Sequence, residues 1–295
     1  MKKQIKLALI LAVLLIAAGL GLWALDGALW QYETLGYWNV NNVAAVDIYG
    51  GSAHVRVYET DDDRLEVTAE GLGVTFSARL EGDRLSVSCQ DGTGVRGLLQ
   101  QMGDDPELIV WLPRQYGGAL TASTDSGEVN FHGAELSGGA YASTNSGAIS
   151  VYDSEIAHLS LYSGSGDIYL GDVRMSGDLT MDSGSGDLYA YDVRGAQLCR
   201  LSTESGYVNL EDMVPETLQL STGSGEQWLE DVTAHAIHLT SASGSVYARL
   251  EGSMDDYSIQ TATLGGSSNL PRDYTGGAKT LTISTDSGDI DVAFE

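Results

Sequence analysis

Five aspartates, Asp153, Asp172, Asp192, Asp212 and Asp231, recur every 19 or 20 positions along a chain of 295 residues. Carboxylates at a fixed repeat suit three kinds of chemistry. Convergent oxygens hold a hard cation such as calcium, with waters completing its shell. A pair of carboxyl groups can cleave a glycosidic bond, one as acid and one as base or nucleophile. Aspartate also accepts hydrogen bonds from turn N–H groups, and turn chemistry alone suffices to explain the column. No DxDxDG loop accompanies it, so any calcium site here is expected to be weak and of extracellular grade, and no other cofactor is expected.

A second set is aromatic. Tyr169, Tyr189, Trp228 and Tyr247 repeat on the same period with Asn209 interrupting, and Tyr152 and Tyr191 occupy a related position two residues further on. Exposed aromatic rings in a flat row can stack on sugar rings or dock a protein partner. They can equally be cross-strand pairs that stabilise a sheet. The histidines His54, His132, His158, His235 and His238 are scattered and form no HExxH, and the chain contains no GxSxG, so no catalytic residue is assigned.

The frame that carries both sets shows in SGSGDIYLGDV at 163–173 and SGSGDLYAYDV at 183–193. A phosphate-binding loop is a single event before a helix. Here the glycine recurs nine times, at Gly127, Gly147, Gly166, Gly186, Gly206, Gly225, Gly244, Gly266 and Gly288, and no helical pattern follows any of them. A period near 20 residues signals a solenoid. Apolar residues alternate on both sides of the glycine: Leu159 and Leu161 before Gly166, Ile168 and Leu170 after it, with equivalents in the other copies. Steps of two on either side of a turn mean two strands bent around one core. Short coils must then stack strand on strand in parallel, about 4.8 Å apart. The corner glycine is expected to supply unusual backbone angles, and the Ser or Thr three residues before it to satisfy turn amides and form ladders. At that spacing five stacked carboxylates repel one another, so they either splay into solvent or share a cation; close and unbridged, they would titrate above the usual carboxylate range.

Composition bounds the partners. With 15 Lys plus Arg against 41 Asp plus Glu, the formal net charge is −26. That balance argues against nucleic acid and against docking on anionic lipid. Residues 7–25 carry no charge and follow Lys2, Lys3 and Lys6. Their length suits a bilayer-spanning helix with a cytoplasmic N-terminus and an exported body. The alternative, a cleaved signal peptide, lacks a clean A-x-A site. The expected organisation is a membrane anchor at 1–32, a strand-rich region at 33–113 with a loop or short helix within 92–107, and solenoid repeats at 114–295. Cys89 and Cys199 both sit among alternating apolar residues and read as unpaired core cysteines.

The segments TDSGEVNF, TNSGAISVYD, SGSGDIYLGDV, SGSGDLYAYDV, TESGYVNL and TDSGDIDV, preceded by LIVWLPRQYGGALTAST, resemble the bacterial putative-adhesin family of unknown function with β-strand repeats. The resemblance spans 46–295. It implies an all-β, single-stranded right-handed parallel β-helix, often tethered to the envelope by an N-terminal membrane segment, with some relatives linked to envelope stress responses. It implies no catalytic residues. The coils around Gly266 and Gly288, with Gly265 where the other copies have serine, depart from the pattern. The expectation is a single-pass, extracytoplasmic binding or scaffold module that is not an enzyme, with a cell-envelope protein or glycan as partner. The alternative is a polysaccharide-active β-helix enzyme, a glycoside hydrolase or lyase using the surface aspartates.

Overall fold

The computed structural model describes residues 30–295 except Met102. The expected anchor at 7–25 lies outside the described residues. Among those described, no helix is long and apolar enough to cross a membrane.

One coil shows how the sequence builds the whole. Leu159–Ser163 is a strand, 164–167 turns the corner, and Ile168–Met175 runs back as a second strand with a bend at Asp172. A turn then leads to Leu179–Ser183, which pairs in parallel with Leu159–Ser163 one coil below. Repetition of this unit gives two sheets of thirteen strands each. Side chains of the alternating apolar positions all point between the sheets, so Leu159, Leu161, Ile168, Leu170, Leu179, Met181 and Leu188 are fully buried. Each such side chain contributes about 1.5–3 kcal/mol by leaving water. The interruption at 92–107 contains a short helix, Val95–Gln100.

The stack does not follow chain order at either end. Ala45–Gly51 pairs in parallel with both Arg84–Gln90 and Ala119–Thr124, and His54–Thr60 with both Glu107–Pro113 and Val129–His132. The coil at 45–60 therefore lies inside the coil at 84–113. Antiparallel strands Trp30–Asn39, Arg64–Leu72 and Thr75–Glu81 close that end. At the other end Lys279–Thr285 is inserted between Ala236–Ser241 and Tyr257–Thr263. The irregular spacing around Gly266 and Gly288 is thereby explained, because Gly288 stacks on Gly244 and Gly266 stacks outermost on Gly288. The Asn269 side chain then stands in for a further strand: its Nδ2 donates to the Val292 carbonyl and its Oδ1 accepts from the Val292 N–H, both at 3.0 Å.

The corner corrects one expectation. None of the nine repeat glycines has φ in the left-handed region; glycines that do, such as Gly133 and Gly195, lie elsewhere. What excludes a side chain is proximity. A Cβ on Gly166 would lie 1.8 Å from the Gly147 carbonyl oxygen, on Gly186 2.1 Å from that of Gly166, and on Gly225 1.6 Å from that of Gly206. The buried hydroxyls form the expected ladder. Ser163 Oγ accepts from Gly166 N–H at 2.8 Å and donates to the Gly147 carbonyl at 3.3 Å. Ser183 and Thr203 repeat both bonds in the next two coils. Thr222 departs, donating to its own Gly225 carbonyl and accepting from Gln227, a fully buried amide in an otherwise apolar column.

Because Ser183→Ala strands a buried N–H, it is expected to lower stability by about 1–3 kcal/mol. Ser183→Thr, the residue that Thr203 places at the equivalent position, should restore it. Denaturant melts of the two variants decide; equal loss in both would mean that the hydroxyl is not the stabilising group.

Candidate ligand-binding face

The aspartate column is a backbone feature. Asp153, Asp172, Asp192, Asp212 and Asp231 have φ of 52, 54, 48, 53 and 53°, and Gly133 holds the same place in the first coil at 73°. Each falls between paired segments: Tyr152 faces Gly171 and Ser154 faces Val173, leaving Asp153 and Asp172 at the bend. The left-handed conformation disfavours most L-residues by roughly 1–2 kcal/mol, least so for aspartate, asparagine and glycine. Recurrence of aspartate thus follows from the bend itself.

Basic side chains approach three of the five carboxylates, two of them arginines: Asp192 accepts from Arg194 Nε at 2.6 Å, Asp231 lies 3.4 Å from Arg249 Nε and Asp153 lies 3.4 Å from the His132 ring Nδ1. Asp192 does not behave as a close, unbridged carboxylate would. The hydrogen bond from Arg194 holds its carboxyl below the usual carboxylate range. Its contribution to stability is present above the unfolded-state value and is lost as pH falls through the lowered one. Among the described residues, no three His, Cys, Asp or Glu side chains converge as metal ligands.

The aromatic residues form two outward columns on one sheet. Tyr169, Tyr189, Asn209, Trp228 and Tyr247 are in register from coil to coil. Tyr169 and Tyr189 stack at 5.0 Å and 3°, and Trp228 and Tyr247 at 4.4 Å and 28°. The repeat aspartate after the corner orients the tyrosines: Tyr169 Oη donates to Asp167 at 3.0 Å and Tyr189 Oη to Asp187 at 3.2 Å. Burial, with Asp187 adding to it, pushes the Tyr189 hydroxyl up to about 12. The same carboxylates accept a backbone N–H from the next coil, Asp167 from Asp187 and Asp187 from Tyr207. In the second column Tyr152 and Tyr191 lie 6.1 Å apart on either side of Gly171. A Cβ at Gly171 would be 2.2 Å from the Tyr191 ring, so that glycine is what lets the two rings approach.

Two open grooves flank these columns. One, of ≈ 290 Å³, lies along the bend and mixes Glu135, Asp153, Glu155, Asp172 and Asp192 with Arg174 and Arg194. The other, of ≈ 480 Å³, is lined by Asn209, Trp228, Tyr247, Glu230, Arg249 and Asp291. Sequence periodicity located the aromatic and acidic columns and missed Asp167, Asp187, Arg194 and Arg249, whose partners stand one coil away or two residues along the same face. The D-x-Y spacing of 167–169 and 187–189, which places both residues on one side of a strand, was the available signal. Cys89 and Cys199 are both free and buried, and burial pushes each thiol up to about 12.

If the column serves the bend, Asp212→Ala should lower stability by about 1 kcal/mol while Asp212→Gly does not. Millimolar calcium and EDTA should give the same melting midpoint. A calcium-dependent rise of several degrees, lost in the Asp172→Asn, Asp192→Asn double variant, would instead make the column a metal site.

Three solved structures are similar in outline. A putative cell adhesion protein from Clostridium sporogenes is 9% identical, with 90% of this chain and 100% of that chain covered and a TM-score of 0.29. A putative adhesin from Bacteroides fragilis is 12% identical over 89% and 97% of the two chains, with a TM-score of 0.46. A putative lipid binding protein from Parabacteroides distasonis is 10% identical over 88% and 96%, with a TM-score of 0.42. Superpositions this loose transfer no ligand or partner. No curated protein matches. The model of the Toastrack DUF4097 family matches residues 43–293, which include every coil of the stack, and the chain belongs to that family.

Proposed function

We propose that this protein is a non-enzymatic binding or scaffold module of a bacterial cell envelope, held in the membrane by its N-terminal segment with the solenoid outside the cytoplasm. One observation carries the reading: the ordered aromatic column Tyr169, Tyr189, Trp228 and Tyr247 on the outer face of one sheet, with Trp228 43% exposed. Apolar surface that is both exposed and held in place suits recognition, because little rotamer freedom is lost on contact. Coils of one design repeat that surface along the axis, as a partner of extended shape requires. The net charge of −26 favours neutral or basic partners.

Replacing Tyr169, Tyr189 and Trp228 together by Ser should abolish capture of envelope proteins or glycans from a cell-wall extract, measured by pull-down with residues 33–295. Lost ring pairs should lower stability by no more than about 1 kcal/mol each. Unchanged capture with a much lower melting point would make the column structural. For the topology, protease added to intact cells should remove the solenoid from full-length protein, and a soluble mature form beginning near Asp26 would exclude the anchor.

A further inference from the structure

The aromatic column is broken once, and the break has two unlike sides. Tyr189, Asn209 and Trp228 are consecutive in register, so the rings of Tyr189 and Trp228 are two coil steps apart, about 9.6 Å. On the Tyr189 side Tyr207 leans in from the neighbouring position, with ring centroids 6.4 Å apart. Trp228 stacks on Tyr247 at 4.4 Å, on the side away from Asn209, and its Nε1 lies 3.4 Å from Glu226 Oε2. Towards Asn209 the indole has no stacked ring among the described residues. The ≈ 480 Å³ groove begins at Asn209 and runs past Trp228 and Glu230, then Tyr247 and Arg249, to Asp291, so the open face of the indole lies at its Asn209 end.

We infer that this groove is a subsite for an uncharged pyranose chain of glucose or N-acetylglucosamine units, with one sugar ring seated against Trp228 in the gap left by Asn209. The inference rests on the proposed binding function and names its ligand. A sugar ring with equatorial hydroxyls turns its axial C–H groups to both faces, and those apolar faces match an indole, while the ring edge needs hydrogen-bond partners. The Asn209 amide offers a donor and an acceptor at that edge. Arg249 is fixed by Glu230, by Asp231 at 3.4 Å and by Glu295 at 3.8 Å, which preorganises the wall and leaves it with net negative charge. Asp291 adds to that charge, so a uronic acid polymer is repelled where a neutral one is not. Tyr169 and Tyr189 offer no equivalent gap, because their rings are stacked in parallel on each other.

The test uses the full-length protein in lipid nanodiscs, titrated with chitotetraose and cellotetraose and, as the anionic control, polygalacturonate, read by tryptophan fluorescence and calorimetry. Saturable binding of at least one neutral tetrasaccharide is expected, and none of polygalacturonate. Trp228→Ala should weaken it at least tenfold. Asn209→Tyr, which fills the gap with a ring and removes no contact of the core, should weaken it as much while keeping the melting midpoint. Tyr141→Ser, on the other sheet, should bind as the parent does. Absence of saturable binding to both neutral sugars, or parental affinity in Asn209→Tyr, would overturn the subsite. Capture of an envelope protein by the aromatic column without any tetrasaccharide binding would overturn the subsite and leave the binding function standing.

Discussion

The structure depends on how closely two backbones approach at one corner. Successive coils bring the carbonyl of one repeat glycine to where the next glycine would carry its Cβ, at 1.6–2.1 Å along the series from Gly127 to Gly244. No side chain fits there, so the position selects glycine by sterics and not by dihedral angle. The hydroxyl three residues earlier then satisfies the two polar groups that this close approach buries, the glycine N–H of its own coil and the glycine carbonyl of the coil below. Fixing the corner fixes the register, since a slip of one residue would turn every inward leucine outward. The inward columns, the aspartate bend and the aromatic columns all inherit their alignment from it.

An indefinitely repeated coil would end in open sheet edges, which are templates for unwanted pairing. This chain closes its ends by overshooting and returning. The coil at 84–113 lies outside the one at 45–60, and the coil that finishes the chain lies inside the one before it. Antiparallel strands cover the first end, and Asp273–Tyr274 together with the Asn269 amide cover the other.

Exact repetition also concentrates charge, because an acidic residue at one place in the coil recurs about 4.8 Å away in the next. The outer surface meets this in two ways. Carboxylates after the corner, Asp167 and Asp187, are occupied by a tyrosine hydroxyl and by a backbone N–H of the adjacent coil. Those at the bend are interspersed with Arg194 and Arg249, which use part of a small stock of basic residues. The face bearing the rings is thus ordered by the same groups that would otherwise repel.

The sequence by itself determined the period, the inward positions, the corner hydroxyls and the two columns on the surface, because a two-residue alternation repeated every 20 residues admits only one side of each strand to the core. Serine or threonine three residues before each glycine was legible for the same reason, as was the pair of buried cysteines. Only the tertiary structure decided why the corner is glycine, since the excluding atom belongs to another coil. It alone decided the order of stacking at the ends, where Gly288 precedes Gly266, because pairing between strands distant in the chain depends on which edge is free when they meet. And it decided what the columns can do: Asp192 beside Arg194, the tyrosines held by Asp167 and Asp187, and Trp228 left open beside Asn209 are relations across coils and corners, which linear spacing suggests but does not fix.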